Sequence, residues 1–177
     1  LKPEGGIFRA YMVTIFVTVF GTCLSLIVVS MLAYALYGTD FKYRRVISFL
    51  VFFTMLFSGG MVPWYLVCTQ ILHLKNTIWA LILPMVMSSW NVILMRTFFS
   101  SMIPMALIDA AKIDGCSEIR TWWSIVLPLA KPAMGTIALF TALQYWNDWY
   151  LPLMLIDDKK LYNLQYLLQK IQLNITM

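Results

Sequence analysis

Charged side chains are scarce in this chain of 177 residues, and that scarcity excludes most soluble architectures. Asp, Glu, Lys and Arg make up 12% of the residues, whereas hydrophobic residues make up 61%. Soluble domains carry about 25% charged residues. Disordered chains combine low hydrophobicity with high charge, which is the opposite pattern. The chain is therefore expected to be neither a soluble monomer nor a disordered segment.

Cysteine pairs, histidines and phosphate-binding motifs are also few or absent. The three cysteines, Cys23, Cys68 and Cys116, lie far apart and form no CxxC pair, so we expect neither a disulfide framework nor a zinc site. The sequence contains one histidine and neither HExxH nor a GxxxxGK[ST] motif. We therefore expect a protein that is not an enzyme and that binds no metal or cofactor by itself.

Four long stretches with almost no charge dominate the sequence. About 20 helical residues cross a hydrocarbon core of roughly 30 Å, which predicts spans at about residues 11–36, 46–74, 77–95 and 133–156. The second stretch contains Gly59-Gly60 and Pro63, so we expect it to be tilted or interrupted. The net charge of +5 is spread between these stretches, which indicates membrane flanks and no nucleic-acid partner. The fold class predicted is all-α, a single polytopic transmembrane helix bundle over residues 1–177 in a lipid bilayer.

Residues 96–132, between the third and fourth spans, form the only long segment that mixes charged and apolar residues. Pro104 can begin a short helix that Gly115 ends, and Ser117 can cap a second helix with Glu118 in its first turn. Both helices carry apolar residues at i, i+3, i+4 and i+7: Pro104, Leu107, Ile108 and Ala111 in the first, and Ile119, Trp122, Trp123 and Val126 in the second. We expect a helix-elbow-helix loop, followed by an interruption at Pro128 and Pro132. An interfacial hairpin anchored by Trp122 and Trp123 is the alternative.

The distribution of Lys and Arg bears on the side of the membrane that this loop faces. Over the whole chain, seven basic residues on one side against six on the other do not decide the orientation. Over the connections inside the bundle, the count is seven against one. Because basic loops are retained in the cytoplasm, we expect residues 96–132 to be cytoplasmic.

A family pattern runs through this loop. Asp109-Ala110-Ala111, then Gly115, then Ile125, Leu127 and Pro128 resemble the EAA loop of ABC importer permeases. In that family the pattern is Glu-Ala-Ala, three residues, Gly, nine residues, Ile, one residue, Leu-Pro. Every spacing matches, and the single departure is Asp109 in place of Glu. Asp114 before Gly115 resembles the Asp-Gly that is common in the family.

The resemblance implies a type I ABC importer permease in the bacterial inner membrane. The loop would be a coupling helix that docks on a cytoplasmic ABC ATPase dimer, which uses ATP and Mg. Separately, the place of Gly115 between two amphipathic helices predicts that it is a hinge. The other implied partners are a second permease subunit, identical or homologous, and an extracytoplasmic solute-binding protein. Permeases of this type have more than four spans, so the chain is expected to lack the first and the last.

The fourth predicted span carries the candidate substrate path. Gln144-Tyr145-Trp146-Asn147-Asp148 alternates aromatic rings with amides and a carboxylate. Rings can cover sugar faces while amides pair with hydroxyls. An ionisable residue inside a span is a functional candidate, because its burial costs roughly 2.5–3.5 kcal/mol. Thr141, Gln144 and Asp148 fall at i, i+3 and i+7, which predicts one polar stripe. Ser88 and Asn91 of the third span could face the same cavity.

Two shorter matches favour a carbohydrate substrate. Trp146-Asn147-Asp148 resembles maltose-type permeases, and Phe57-Ser58-Gly59-Gly60 with Pro63 resembles their lipoprotein-operon relatives. We predict import of an oligosaccharide. An interfacial aromatic belt and helix-to-helix packing are the alternatives for the aromatic and polar side chains. The alternatives for the whole protein are a permease for amino acids, peptides or ions, and a membrane scaffold or sensor that transports nothing.

Overall fold

The structure is a computed structural model that describes the backbone of residues 3–38 and 41–176. All regular secondary structure in these two ranges is helical. The first helix, α1, covers Pro3–Tyr37. Within the described residues, its segment Gly6–Tyr37 is the one helix long and apolar enough to cross a membrane by itself. The number rises to four by length and composition if three broken helix pairs each count as one span.

Ten further helices follow α1 along the described part of the chain. They are α2 (Arg44–Leu56), α3 (Met61–Leu66) with a π turn over Val67–Ile71, α4 (Trp79–Ile82) with a 3-10 turn over Leu83–Met85, α5 (Ser89–Met102), α6 (Met105–Ile113), α7 (Glu118–Thr121) with a π turn over Trp122–Val126, α8 (Leu127–Leu129), α9 (Lys131–Trp146), α10 (Tyr150–Leu155) and α11 (Leu164–Thr176). A separate 3-10 turn covers Lys159–Leu161.

The helices differ from the predicted spans in where they break. The stretch 46–74 is interrupted at residues 57–60, where Gly60 adopts a φ of +87° before α3 begins. The third stretch has a break at residues 86–88, and α5 then continues through Met102. The fourth is interrupted at residues 147–149, between α9 and α10. Because these bounds describe helices and not a bilayer, the four spans themselves stay a prediction.

The chain divides into two compact units, which we describe separately. The first unit contains α1 as far as Leu24, then Gly59–Val86, and the chain from Phe140 onward. Its centre is Tyr145 of α9, which is 2% exposed and whose hydroxyl donates to the carbonyl of Ile82 at 2.9 Å. The end of this ring lies against Gly21, where an added Cβ would be 2.6 Å from the Cζ atom.

The second unit contains Ser25–Ser58 and Met87–Leu139. Its hydrophobic core joins the end of α1 to α2, α5, the predicted loop and the first part of α9. Its buried side chains include Val29, Leu36, Val92, Met95, Phe99, Ile103, Ile108, Trp122, Val126 and Ile137. The predicted loop is therefore part of the protein core and not a separate hairpin.

Candidate functional site

The first helix of the loop ends in a glycine motif that fixes the direction of the chain. α6 begins after Pro104 and ends at Ile113. Gly115 adopts a φ of +76°, its N–H donates to the carbonyl of Lys112 at 3.0 Å, and the N–H of Cys116 donates to the carbonyl of Ala111 at 2.9 Å. These two bonds form a Schellman motif, which favours glycine at the left-handed position. The elbow, residues 114–116, is therefore a defined bend, and the role of Gly115 as a hinge stays a prediction.

The second helix of the loop begins and ends at identifiable residues. The Ser117 side chain accepts the Arg120 N–H at 3.4 Å, as expected of an N-cap. The helix then passes through the π turn and includes Pro128, where an interruption was predicted. Proline lacks an N–H and crowds the carbonyl four residues earlier. Here that carbonyl belongs to Ser124, which lies inside the wider π turn, and the helix continues through Pro128. The chain turns by 85° only after Leu129, at Ala130.

One face of the loop is packed into the core of the second unit. Ile108, Ala111, Trp122 and Val126 are buried, as their spacing predicted. Leu107, Ile119 and Trp123 were predicted on the same faces but are exposed. The core contacts one edge of each apolar stripe and leaves the other edge open. Because Trp122 is enclosed by protein, it cannot anchor an interfacial hairpin in headgroups.

The side of the loop that the core leaves open presents apolar side chains to the surroundings. Ile113 is 86% exposed, Ile119 is 68% exposed and Trp123 is 64% exposed. We call these three residues the apolar patch. Of the residues in the family pattern, Asp109, Ala110, Asp114, Gly115 and Pro128 are also exposed, Ile125 and Leu127 are half-buried, and Ala111 is buried. A bent element with one buried face and one open apolar face is suited to contact another protein.

Polar contacts attach this loop to α1. The sequence did not predict them. The hydroxyl of Tyr34 donates to Oε2 of Glu118 at 2.6 Å, and Nζ of Lys112 lies 3.3 Å from Oε1 of the same carboxylate. We call this set the Glu118 bridge. The hydroxyl of Tyr37 donates to the carbonyl of Ile103 at 2.5 Å. The signal available in the sequence was a pair of tyrosines at i and i+3 at the end of the first span.

A cavity of about 370 Å³ lies beside the Glu118 bridge, within the second unit. Its lining comes from the end of α1 and the residues after it (Met31, Tyr34, Ala35, Gly38 and Phe41) and from the loop (Ile108, Lys112, Glu118, Ile119 and Trp122). The cavity is half open and borders the apolar core that joins the end of α1 to the loop.

Comparison with known proteins decides the family. The sequence model of the family described as binding-protein-dependent transport system inner membrane component matches residues 8–175. The chain belongs to this family.

Two curated relatives and one solved structure resemble this inner membrane component. The polygalacturonan/rhamnogalacturonan transport system permease protein YtcP of Bacillus subtilis (strain 168) is 43% identical over 93% of this chain and 57% of its own length. Protein LplC of the same organism is 45% identical over 92% of this chain and 55% of its own length. A bacterial ABC transporter involved in the import of the acidic polysaccharide alginate superposes with a TM-score of 0.87 and 35% identity, over 93% of this chain and 58% of that chain. The chain spans a little over half the length of these proteins.

The predicted substrate-path residues of the inner membrane component differ in accessibility. Gln144 and Asn147 are exposed, and Trp146 is half-buried with its ring edge-on to Tyr11 at 5.9 Å. Tyr145 is enclosed between helices and bonded to Ile82, so its ring packs the unit and does not line an open path. The role of the others in a path stays a prediction.

Asp148 lies outside the helix that was predicted to carry it. α9 ends at Trp146, so the i, i+3, i+7 stripe from Thr141 does not reach Asp148. Its Oδ1 instead accepts the N–H groups of Tyr150 at 3.1 Å and Leu151 at 3.2 Å, which caps α10. The overlooked signal is Pro152, which has no N–H for the carbonyl of Asp148 and crowds it. In the structure this carbonyl accepts the side-chain amide of Asn163.

Ser88 and Asn91 belong to the second unit. Ser88 is half-buried at the N-cap position of α5, and Asn91 is buried in the first turn of that helix. The burial of Asn91 favours helix packing, the alternative that the sequence left open. A role for this pair in a substrate path stays a prediction.

Proposed function

We propose that this protein is the membrane-spanning permease subunit of an ATP-driven ABC importer for an oligosaccharide. It would cross the bacterial inner membrane several times, with the loop between α5 and α9 in the cytoplasm. Membership of the transport family supports the transport role, and the names of the relatives support a carbohydrate. The observation that carries the proposal is the bent loop, which has a buried inner face and an open apolar patch.

The apolar patch is the proposed contact with the ATPase. Removing apolar surface from water is worth roughly 25 cal/mol per Å², so Ile113, Ile119 and Trp123 would favour docking into a groove of a partner. The ATPase dimer would use ATP and Mg, and this chain would carry no enzymatic activity or cofactor of its own. A second permease subunit and an extracytoplasmic solute-binding protein complete the proposed assembly.

The substrate is proposed to be an oligosaccharide that contains uronic acids. The relative YtcP is named for polygalacturonan and rhamnogalacturonan, and the structural neighbour for alginate, an acidic polysaccharide. The exposed amides of Gln144 and Asn147 could pair with sugar hydroxyls, and Trp149, which is 41% exposed, offers a ring face.

A pair of substitutions at the elbow tests the coupling role. No atom lies within 4 Å of a Cβ added at Gly115, so a substitution there acts through its φ of +76° alone. A β-branched residue strongly disfavours that conformation, whereas Asn tolerates it. In the full-length protein assembled with its partners, Gly115→Val should abolish ATP hydrolysis stimulated by the binding protein. Gly115→Asn, the matched control, should retain it, and full stimulation in Gly115→Val would contradict the proposed role of the loop.

Uptake and co-purification distinguish the proposed function from its alternatives. Cells that express the complete system should accumulate oligogalacturonates or other uronic-acid oligomers. Accumulation of amino acids, peptides or ions instead would favour a permease of the same architecture with another substrate. Purification without any ATPase subunit, together with no uptake of any of these solutes, would favour a scaffold or sensor.

A further inference from the structure

We propose that Glu118 is the positioning residue that fastens the loop to α1, so that the loop and the end of α1 move together. The proposal rests on the function proposed above, in which the loop receives motion from an ATPase. It adds a named route by which that motion reaches a helix that is distant in the sequence.

The carboxylate of Glu118 joins three elements at once. It is the first residue of α7, and its two oxygens contact Tyr34 of α1 at 2.6 Å and Lys112 of α6 at 3.3 Å. An O–H···O⁻ bond of this length is charge-assisted and stronger than a neutral hydrogen bond. Lys112 and Glu118 lie on either side of the elbow, so the ion pair also holds the bend. A displacement of either loop helix is therefore carried to Tyr34.

The Glu118 bridge lies at the rim of a half-open cavity of about 370 Å³. It adds polar contacts to the apolar core that already joins the end of α1 to the loop. Tyr34 is buried, whereas the Glu118 side chain is 62% exposed. Tyr34 is thus the more enclosed of the two partners.

A second contact holds the other end of the loop. The hydroxyl of Tyr37 donates to the carbonyl of Ile103, just before α6 begins. Tyr34 and Tyr37 lie about one turn apart on α1, so the helix is tied to the loop before its first helix and at the start of its second. Two separate ties can transmit a rotation, which a single contact cannot.

A distance measurement tests the attachment without any transport assay. Spin labels would be placed at Ile27 of α1 and at Arg120 of α7, both exposed, after alanine replaces the three native cysteines. The full-length protein, and Tyr43→Phe as the matched control at an exposed ring of the same unit, should give one narrow distance distribution. Tyr34→Phe and Glu118→Ala should each broaden it. The double variant should broaden it no further than Glu118→Ala does alone, because that change already removes the bond to Tyr34.

The transported amount per ATP tests what the attachment does. In the reconstituted transporter, Tyr34→Phe and Glu118→Ala should each lower the substrate moved per ATP by about fivefold or more, the usual lower range of coupling between sites. Tyr43→Phe should leave that ratio unchanged. ATP hydrolysis without binding protein should persist in every variant.

The outcomes separate this proposal from the proposed function. Unchanged distance distributions in Tyr34→Phe and Glu118→Ala would overturn the attachment, whether or not the protein transports. Broadened distributions with a wild-type ratio of substrate to ATP would overturn the positioning role while the importer function stands. A wild-type complex that moves no substrate would refute the importer function, and the distance distributions would then decide the attachment alone.

Discussion

A single methyl group at Gly21 should measurably destabilise the first unit. A Cβ at this position would lie 2.6 Å from Cζ of Tyr145 and 2.9 Å from both Cε atoms. The ring cannot swing aside freely, because Tyr145 is buried and its hydroxyl is bonded to the carbonyl of Ile82. Gly21→Ala therefore forces either α1 or the tyrosine to move.

The size of the effect follows from opposing contributions. Overpacking a buried site costs about 1–3 kcal/mol, and losing the bond to Ile82 would add about 1–3 kcal/mol if the carbonyl stays unpaired. Alanine in a helix is favoured over glycine by roughly 0.5–1 kcal/mol. We expect a net loss of about 1–3 kcal/mol in the free energy of unfolding. For a chain of this length, that corresponds to a fall in Tm of about 3–10 °C.

A buried thiol in the same unit offers the assay. Cys68 is buried, whereas Cys23 is exposed and Cys116 is half-buried. With Cys23 and Cys116 replaced by serine, reaction of Cys68 with a fluorogenic thiol reagent during heating in detergent micelles reports unfolding of the first unit. Gly6→Ala, in the same helix and the same unit, is the matched control, because no atom lies within 4 Å of a Cβ there. It should melt at or slightly above the wild-type temperature.

Variants at Gly21 and Tyr145 also give the results that would refute this reasoning. If Gly21→Ala melts at the same temperature as Gly6→Ala, the contact between Gly21 and Tyr145 does not limit packing and the reasoning fails. Replacing Tyr145 by leucine removes the ring, so Gly21→Ala should add no further loss in a Tyr145→Leu background.

Two other predictions concern ionisable residues of the first unit. Nζ of Lys75 lies 2.9 Å from the carboxylate of Asp157 and lowers the pKa of Asp157. The contribution of this pair to stability is therefore complete at neutral pH. It is lost as acid protonates Asp157 below about pH 4. The rate of hydrogen exchange at the Asp157 amide, corrected for its intrinsic rate, should therefore rise on acidification. Lys75→Met should remove this rise. An equal rise in Lys75→Met would exclude the pair as its cause. Asp148→Asn keeps the cap on α10 and should impair transport with an unchanged Tm, whereas Asp148→Leu should also lose about 0.5–2 kcal/mol of stability. Normal transport by Asp148→Asn would remove the carboxylate from the substrate path.

The parts of the candidate site that the sequence predicts are those with local signals. Pro104, Gly115 and Ser117 each act on the backbone within a few residues, through a fixed φ, a left-handed conformation and an N-cap. The bounds of α6 and the start of α7 follow from them. The family pattern over the same residues identified the transport family for the same reason: its spacing is visible without the fold.

The parts that could not be predicted depend on residues far apart in the chain. Tyr34 and Glu118 are 84 positions apart, and nothing near either residue indicates the other. The burial of Tyr145 likewise depends on Gly21 of another helix. The sequence pattern therefore predicted that this ring lines a substrate path, whereas it packs between helices. The end of α9 was predictable, because Pro152 is incompatible with a continuous helix through Asp148.

The length of α1 determines what surrounds its last turns. From Ala10 to Tyr37 the helix has 28 residues without a charge, or about 42 Å at 1.5 Å per residue, against a hydrocarbon thickness of roughly 30 Å. Lipid alone would enclose that length only at a tilt of about 45°, beyond the usual range of transmembrane helices. The side chains of Ala33, Tyr34, Leu36 and Tyr37 are instead covered by the protein itself. With α1 as the predicted first span, this protein cover takes the place of lipid around the last turns, so the bilayer need not match the whole apolar length of the helix.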